Sequence, residues 1–211
     1  MKNKKGIILM LIGLLLIISA LSLTIYNIWD EKRAGTVSRD VFTHLSEIIS
    51  SNIINSDTNE SSQIIGTEEK IPDYILNPNV EMPTIQINNN SYIGIIEIPY
   101  LNLKLPVMSE WSYPLLKIAP CRYKGSAYLD NMIIAGHNYS THFGNLSNLK
   151  SGSKIIFTDA DGNTFKYISV ETEVLDKSAS EEMESGDWDL SLFTCTVSGE
   201  SRVTVRCKKS N

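Results

Sequence analysis

From Gly6 to Tyr26 the chain is almost unbroken apolar sequence, with Ile7-Ile8-Leu9-Met10-Leu11-Ile12 and Leu14-Leu15-Leu16-Ile17-Ile18 inside it. That is about the ~20 residues a helix needs to cross a bilayer. Next, Val37, Val41, Leu45, Ile48, Ile49 and Ile53 recur at helical spacing between Thr36 and Asn55. They predict an amphipathic helix with Ser38 as its N-cap and Asp40 in its first turn. Asn55 to Lys70 is rich in Ser, Asn, Asp and Glu and reads as a flexible linker. Pro72, Pro78 and Pro83 then predict an extended segment from Ile71 to Thr84, neither helix nor central strand.

From Ser91 the period shortens to two. Tyr92 to Ile98 predicts a strand ended by Pro99-Tyr100, and Leu101 to Leu105 a second, closed by Pro106. Trp111 to Lys124 is mixed, holding a short helix or loop. Ala127 to Ile134 predicts a strand leading to His137, and Phe143 to Leu149 a short helical turn. Lys154 to Asp159 and Thr164 to Leu175 are strands joined by an Asp161-Gly162 hairpin turn. Residues 159–163 resemble a calcium loop only faintly, because Val170 stands where the twelfth-position glutamate belongs. Asp176 to Trp188 is an acidic loop. Leu190 to Cys195 and Ser201 to Arg206 are two further strands around a turn at Val197-Ser198-Gly199-Glu200. The last strand alternates, with Arg202, Thr204 and Arg206 on one face and Val203 and Val205 on the other. About seven or eight short strands with little helix predict a mainly β fold, a closed or nearly closed β-barrel.

The organisation predicted is a cytoplasmic tail at 1–5, a transmembrane anchor at 6–26, a juxtamembrane helix and linker at 27–90, and a β-barrel domain at 91–211. The formal charge of −5 includes Lys2, Lys4 and Lys5, so the rest of the chain carries −8. The lysines before the apolar run predict a cytoplasmic N-terminus and an extracellular domain, a single-pass cell-membrane protein. The run is long for a signal-peptide core, and no clear small-x-small site precedes Asp30, so the anchor is read as uncleaved. An acidic outer domain argues against nucleic-acid binding. Three cysteines do not suggest a disulfide framework, and Cys121 and Cys207 read as buried apolar residues.

Two strand ends carry chemistry. Asn131-Met132-Ile133-Ile134-Ala135-Gly136-His137-Asn138 runs from apolar residues to a histidine, and Leu190-Ser191-Leu192-Phe193-Thr194-Cys195 ends on a thiol. A hairpin then brings Arg202 beside the thiol. Such a cysteine, histidine and fixed cation suit acyl transfer through a thioester. Arg206, on the same strand face, is the alternative cation. His142 and His44 are rival histidines. A zinc site drawn from Cys121, Cys195, Cys207, His137 and His142 is weak, since no Cys-x-x-Cys or His-x-x-x-His pair exists.

The Ile-Ile-Ala-Gly-His-Asn run, the Leu-Phe-Thr-Cys-Thr run and the Arg-Val-Thr-Val-Arg strand together resemble the three signature pieces of the sortases, membrane-anchored cysteine transpeptidases of Gram-positive bacteria. The resemblance covers roughly Ser91 to Cys207. The family usually has Thr where Ser191 stands, and the hydroxyl is kept. The resemblance implies Cys195 as nucleophile, His137 as acid and base, and Arg202 as the group that holds the substrate and the oxyanion. It implies substrate contacts at Thr194 and Ser191, and no cofactor or metal. It further implies a Leu-Pro-x-Thr-Gly-like sorting signal on secreted proteins as substrate and an amine of a peptidoglycan precursor as acceptor. The short linkers resemble those of class D or class B members. Some pilin-polymerising sortases carry an Asp-Pro-aromatic lid. Here the order is Pro72-Asp73-Tyr74, so packing of this stretch on the domain surface is expected instead. A non-enzymatic β-domain displayed for adhesion would also explain the anchor and strands, but not the order of Cys, His and Arg.

Overall fold

In the computed structural model, which describes residues 2–59, 71–196 and 198–210, the apolar run and the amphipathic stretch form one α-helix, α1 (Lys2–Asn59). Ser38 is therefore not an N-cap; it lies mid-helix, buried, with no partner for its hydroxyl among the described residues. The physical reason is local. Residues 27–35 contain no proline and include Glu31, Lys32, Arg33 and Ala34, good helix formers, so nothing stops the helix that the apolar run begins. Apart from half-buried Gly13, the run itself is exposed from Ile7 to Leu23, and it is long and apolar enough to cross a membrane. Farther on, Ala34, Val41, Leu45 and Ile49 are buried. With buried Ser38 they recur every three or four residues, the spacing of one helix face. The linker expected from Asn55 begins inside α1, and residues 60–70 of it lie outside the described residues.

The strands are β1 (Ile85–Ile87), β2 (Asn90–Ile98), β3 (Leu103–Met108), β4 (Cys121–Lys124), β5 (Met132–Ala135), β6 (Lys154–Asp159), β7 (Thr164–Asp176), β8 (Leu190–Cys195) and β9 (Ser201–Lys209). Their order is β1-β2-β3-β4-β5-β8-β9-β7-β6, and β6 pairs back onto β2. Eight strands therefore close a barrel, with β1 attached outside the ring. Closure leaves no open edge on those eight. Inside lie Ile93, Ile96, Ile98, Val107, Ile134, Phe157, Leu192 and Val205, all fully buried. Each such side chain contributes roughly 1.5–3 kcal/mol. A second cluster outside the barrel joins Val41, Leu45 and Ile49 of α1 to Tyr92, Ile95, Met108, Cys121 and Phe193.

Several local expectations are corrected. Pro106 does not close β3 but sits within it, opposite Ile95. β3 meets β4 only at Met108 and Cys121, so no neighbour asks for the proline's missing N–H. The strand expected over Ala127–Ile134 is a 3-10 turn, Ala127–Leu129, followed by Asp130 at positive φ; only Met132–Ala135 is strand. Ser126 caps that turn by accepting from the Tyr128 N–H at 3.1 Å. The acidic loop contains α4 (Ser180–Glu184), anchored by buried Met183. α3 (Tyr113–Leu116) begins at Ser112, which accepts from the Leu115 N–H. In the proline segment Asp73–Leu76 forms one helical turn, α2, because Pro72 presets its entry. Tyr74 of this turn stacks on Tyr128 at 4.5 Å and leans on Phe165 at 5.4 Å. Phe165 in turn receives Lys209, the far end of β9 from Arg202. The segment thus packs on the domain, at the barrel end away from Cys195. The 159–163 stretch is a hairpin: the Asp159 carboxylate accepts from the Asp161 and Asn163 N–H groups, the Asn163 amide and the Tyr128 hydroxyl.

Candidate active site

Cys195 is the last residue of β8 and stands directly opposite Arg202 of β9. Cross-strand partners share a face, so Cys195, Phe193 and Ser191 line up with Arg202, Thr204 and Arg206 on the outside of the barrel. The turn between the strands is closed by the Thr196 N–H donating to Ser201 O at 2.8 Å and the Gly199 N–H donating to Thr196 O at 2.9 Å; Val197 of the expected turn lies outside the described residues. Cys195 is exposed, whereas Cys121 and Cys207 are buried, and all three are free thiols. Burial pushes the Cys121 and Cys207 thiols up to about 12. These two sit in different clusters, one outside the barrel wall and one inside it, so they do not converge with Cys195 on a metal.

β5 runs parallel to β8 with Ala135 beside Phe193, and the pairing continues as the Gly136 N–H donates to Phe193 O at 2.9 Å. His137 thus leaves the end of β5 next to the end of β8 that carries Cys195. Gly136 is required by close packing: a Cβ there would fall 2.4 Å from the Phe143 ring. The His137 imidazole is half-buried and stacks on Tyr139, centroids 3.8 Å apart and planes at 15°. Burial, followed by the nearby Lys117 charge, holds His137 below its ordinary pKa, with Asp30 partly opposing. At neutral pH the ring is mainly neutral. Its Nδ1 has no hydrogen-bond partner among the described residues.

The two arginines have different surroundings. Arg202 is partly exposed, its guanidinium makes no hydrogen bond among the described residues, and it lies 5.7 Å from the Phe193 ring centre, with its charge also acting on Asp176. Arg206 is only 2% exposed. It donates to Glu173 Oε1 and Met183 O at 2.7 Å, to Ser191 Oγ at 2.9 Å, and to Glu182 O at 2.7 Å. Arg206 therefore pins α4 to the barrel and ties β9 to β7, and of the two arginines Arg202 is the one left available beside the thiol. Ser191 is occupied by Arg206, and Thr194 points into the wall, 2% exposed, so neither presents its hydroxyl at the surface. His142 is fully buried, and burial pushes it down to about 4. His44 is exposed on α1.

Beside the site an aromatic row runs along the surface. Tyr123 meets Phe193 edge-on at 5.3 Å, and Trp111 meets Tyr123 at 5.7 Å. Trp111 and Tyr123, with Ser109, Arg122 and Lys124, line an open groove of about 540 Å³. Nothing local in the sequence marked this row, because its members come from β4, β8 and the loop before α3.

The sortase-domain family model matches residues 96–210. The chain belongs to the sortase family. The match contains His137, Cys195 and Arg202, while α1 precedes it. Among solved structures, this sortase is similar to the sortase D5 transpeptidase of Clostridium perfringens, at 20% identity over 83% of this chain and 99% of that one, TM-score 0.56. It is also similar to sortase C of Streptococcus pneumoniae, at 18% identity over 82% and 97%, TM-score 0.55. A third is sortase C1 of Streptococcus agalactiae, at 23% over 79% and 89%, TM-score 0.53. These likenesses establish the closed-barrel fold. No curated protein matches the chain.

Proposed function

We propose that this sortase is a membrane-anchored cysteine transpeptidase, held by residues 6–26 with its barrel outside the cell. It cuts an LPxTG-like sorting signal of secreted proteins and joins the new carboxyl end to a cell-wall amine. The observation that carries this reading is the meeting of three strand ends: exposed Cys195 opposite Arg202, whose guanidinium has no hydrogen-bond partner among the described residues, with His137 at the end of the neighbouring strand. The Cys195 thiol passes its proton to neutral His137, and the thiolate adds to the carbonyl after the Thr of the signal. Arg202, always charged, steadies the oxyanion. The C–N bond breaks as protonated His137 gives its proton to the leaving amine, and a thioester remains. The acceptor amine then adds to the thioester, neutral His137 takes its proton, and the C–S bond breaks to release the thiolate, which recovers a proton from His137. The low pKa of His137 suits the second half, in which it must be neutral. By resemblance, a class D-like or class B-like assignment is favoured, the former slightly.

The test uses the full-length protein in detergent with quenched Leu-Pro-x-Thr-Gly peptides, with and without an added amine, beside Cys195→Ala. The expected result is Cys195-dependent cleavage with the amine joined to the Thr. Cleavage without the amine product would make the protein a hydrolase. No reaction, together with an unreactive Cys195, would leave a displayed β-domain.

A further inference from the structure

The loop after His137 is held from a distance. Its residues Tyr139, Ser140 and Thr141 rest on α1 just beyond the apolar run. The Tyr139 hydroxyl donates to Asp30 Oδ2, while Arg33 donates to Asp30 Oδ1 at 2.9 Å. Ser140 donates to Glu31 Oε1 through its N–H at 2.7 Å and also through its hydroxyl. Gly35 lets the helix backbone come close: a Cβ there would sit 2.8 Å from Thr141 Cγ2. Asp30 is 7% exposed, an unusual burial for a carboxylate, and both its oxygens are taken. The same Tyr139 ring that reaches Asp30 is the ring on which His137 stacks.

We propose that Asp30, assisted by Glu31, is a positioning residue for His137: through the Tyr139 ring, the juxtamembrane turn of α1 fixes where the imidazole points. The inference rests on the reading of His137 as the acid–base group. A stacked ring at 3.8 Å leaves the imidazole one plane to lie in, and a tyrosine anchored at its hydroxyl cannot swing away from it. Without the Asp30 anchor, the Tyr139 hydroxyl loses its hydrogen bond, and the ring, left to its packing on His137 and His142, is freer to tilt the plane it offers to His137. Small misplacements of an acid–base group have large effects on rate and little on binding. The charged and titratable groups around His137 are Lys117 at the end of α3, Asp30, Glu31 and Arg33 on α1, and Tyr139 and His142 on its own loop.

The test uses full-length protein in detergent or lipid nanodiscs, with Asp30→Ala, Asp30→Asn, Tyr139→Phe and the double variant of Asp30→Ala with Tyr139→Phe. Asp30→Ala and Tyr139→Phe should each lower kcat by at least about tenfold with KM changed less than about twofold, and the double variant should be no worse than either. Asp30→Asn keeps an acceptor oxygen for the tyrosine and should recover most of kcat. Independently of turnover, the His137 ring titration followed by NMR should move to lower pH in Asp30→Ala, because the Asp30 charge raises it. Unchanged kcat in both single variants would overturn the proposal, as would additive losses or an Asn variant as slow as Ala. If the wild type transfers no acyl group, the functional reading fails instead. The NMR titration still tests the contact: an unmoved His137 midpoint in Asp30→Ala would overturn it.

Discussion

Two arginines share one face of β9, and only one is free to act, which a pair of substitutions can separate. Arg206→Met removes the donor for Glu173 Oε1, Ser191 Oγ and the carbonyls of Met183 and Glu182. Hydrogen bonds to a charged group are worth roughly 1.5–3 kcal/mol each, but they are not additive. The Glu173 carboxylate is 36% exposed, so solvent screens that part of the loss. Water can reach the freed Glu182 carbonyl more easily than the Met183 carbonyl, since Glu182 is exposed and Met183 is buried. The net destabilisation should be about 3 kcal/mol, the low end for breaking one side of a buried charged network. For a domain of this size that lowers the unfolding midpoint by about 10 °C. Arg202→Met should cost less than about 1 kcal/mol, the cation–π contact with Phe193 being its main loss. It should nevertheless lower kcat by roughly 10²-fold or more, as the removal of an oxyanion donor does. Thermal unfolding and transpeptidation, measured on the same detergent-solubilised preparations, give both numbers. A stable but inactive Arg206→Met, beside an active Arg202→Met, would refute the assignment.

Other consequences are as direct. A disulfide-exchange reagent should label one thiol per folded chain quickly and the other two only on unfolding, and Cys195→Ala should abolish the fast phase; two fast thiols would contradict the burial of Cys121 and Cys207. His142 is neutral in the fold down to about pH 4, against an ordinary value of 6.5. Between those values the unfolded chain takes up a proton that the folded chain declines, so stability should fall as pH falls, by up to about 3 kcal/mol at the lower end. Denaturant midpoints at pH 7 and pH 4.5 measure this, and His142→Phe should flatten the slope; an equal slope in the variant would show the loss to come from elsewhere.

The barrel was legible because it depends on short-range pattern. The period-two runs gave β6 and β7 nearly to the residue, and Asp161-Gly162 gave their hairpin. That Cys195 and Arg202 would stand opposite each other was legible for the same reason, since a tight turn leaves one register for β8 and β9. Boundaries failed where tertiary context overrode a local rule. Pro106 is tolerated inside β3 because β4 barely pairs there, and Ser38 cannot cap a helix that never stops. Arg206 and Arg202 are indistinguishable in an alternating strand; what separates them is α4, a helix the acidic loop did not advertise. The contacts of Tyr139 with Asp30 span 109 residues, and no sequence period records them.

The continuity of α1 also sets a height. On the proposed placement of residues 6–26 in the bilayer, Asp30 lies only four residues past Tyr26, about 6 Å along the helix axis. The loop that follows His137 touches α1 at that level, so the mouth of the site rides close to the lipid headgroups. A stiff helix gives no slack to lower or raise it. On that placement the site is served by reactants near the membrane surface, and lateral diffusion in two dimensions, rather than reach, sets how often they meet.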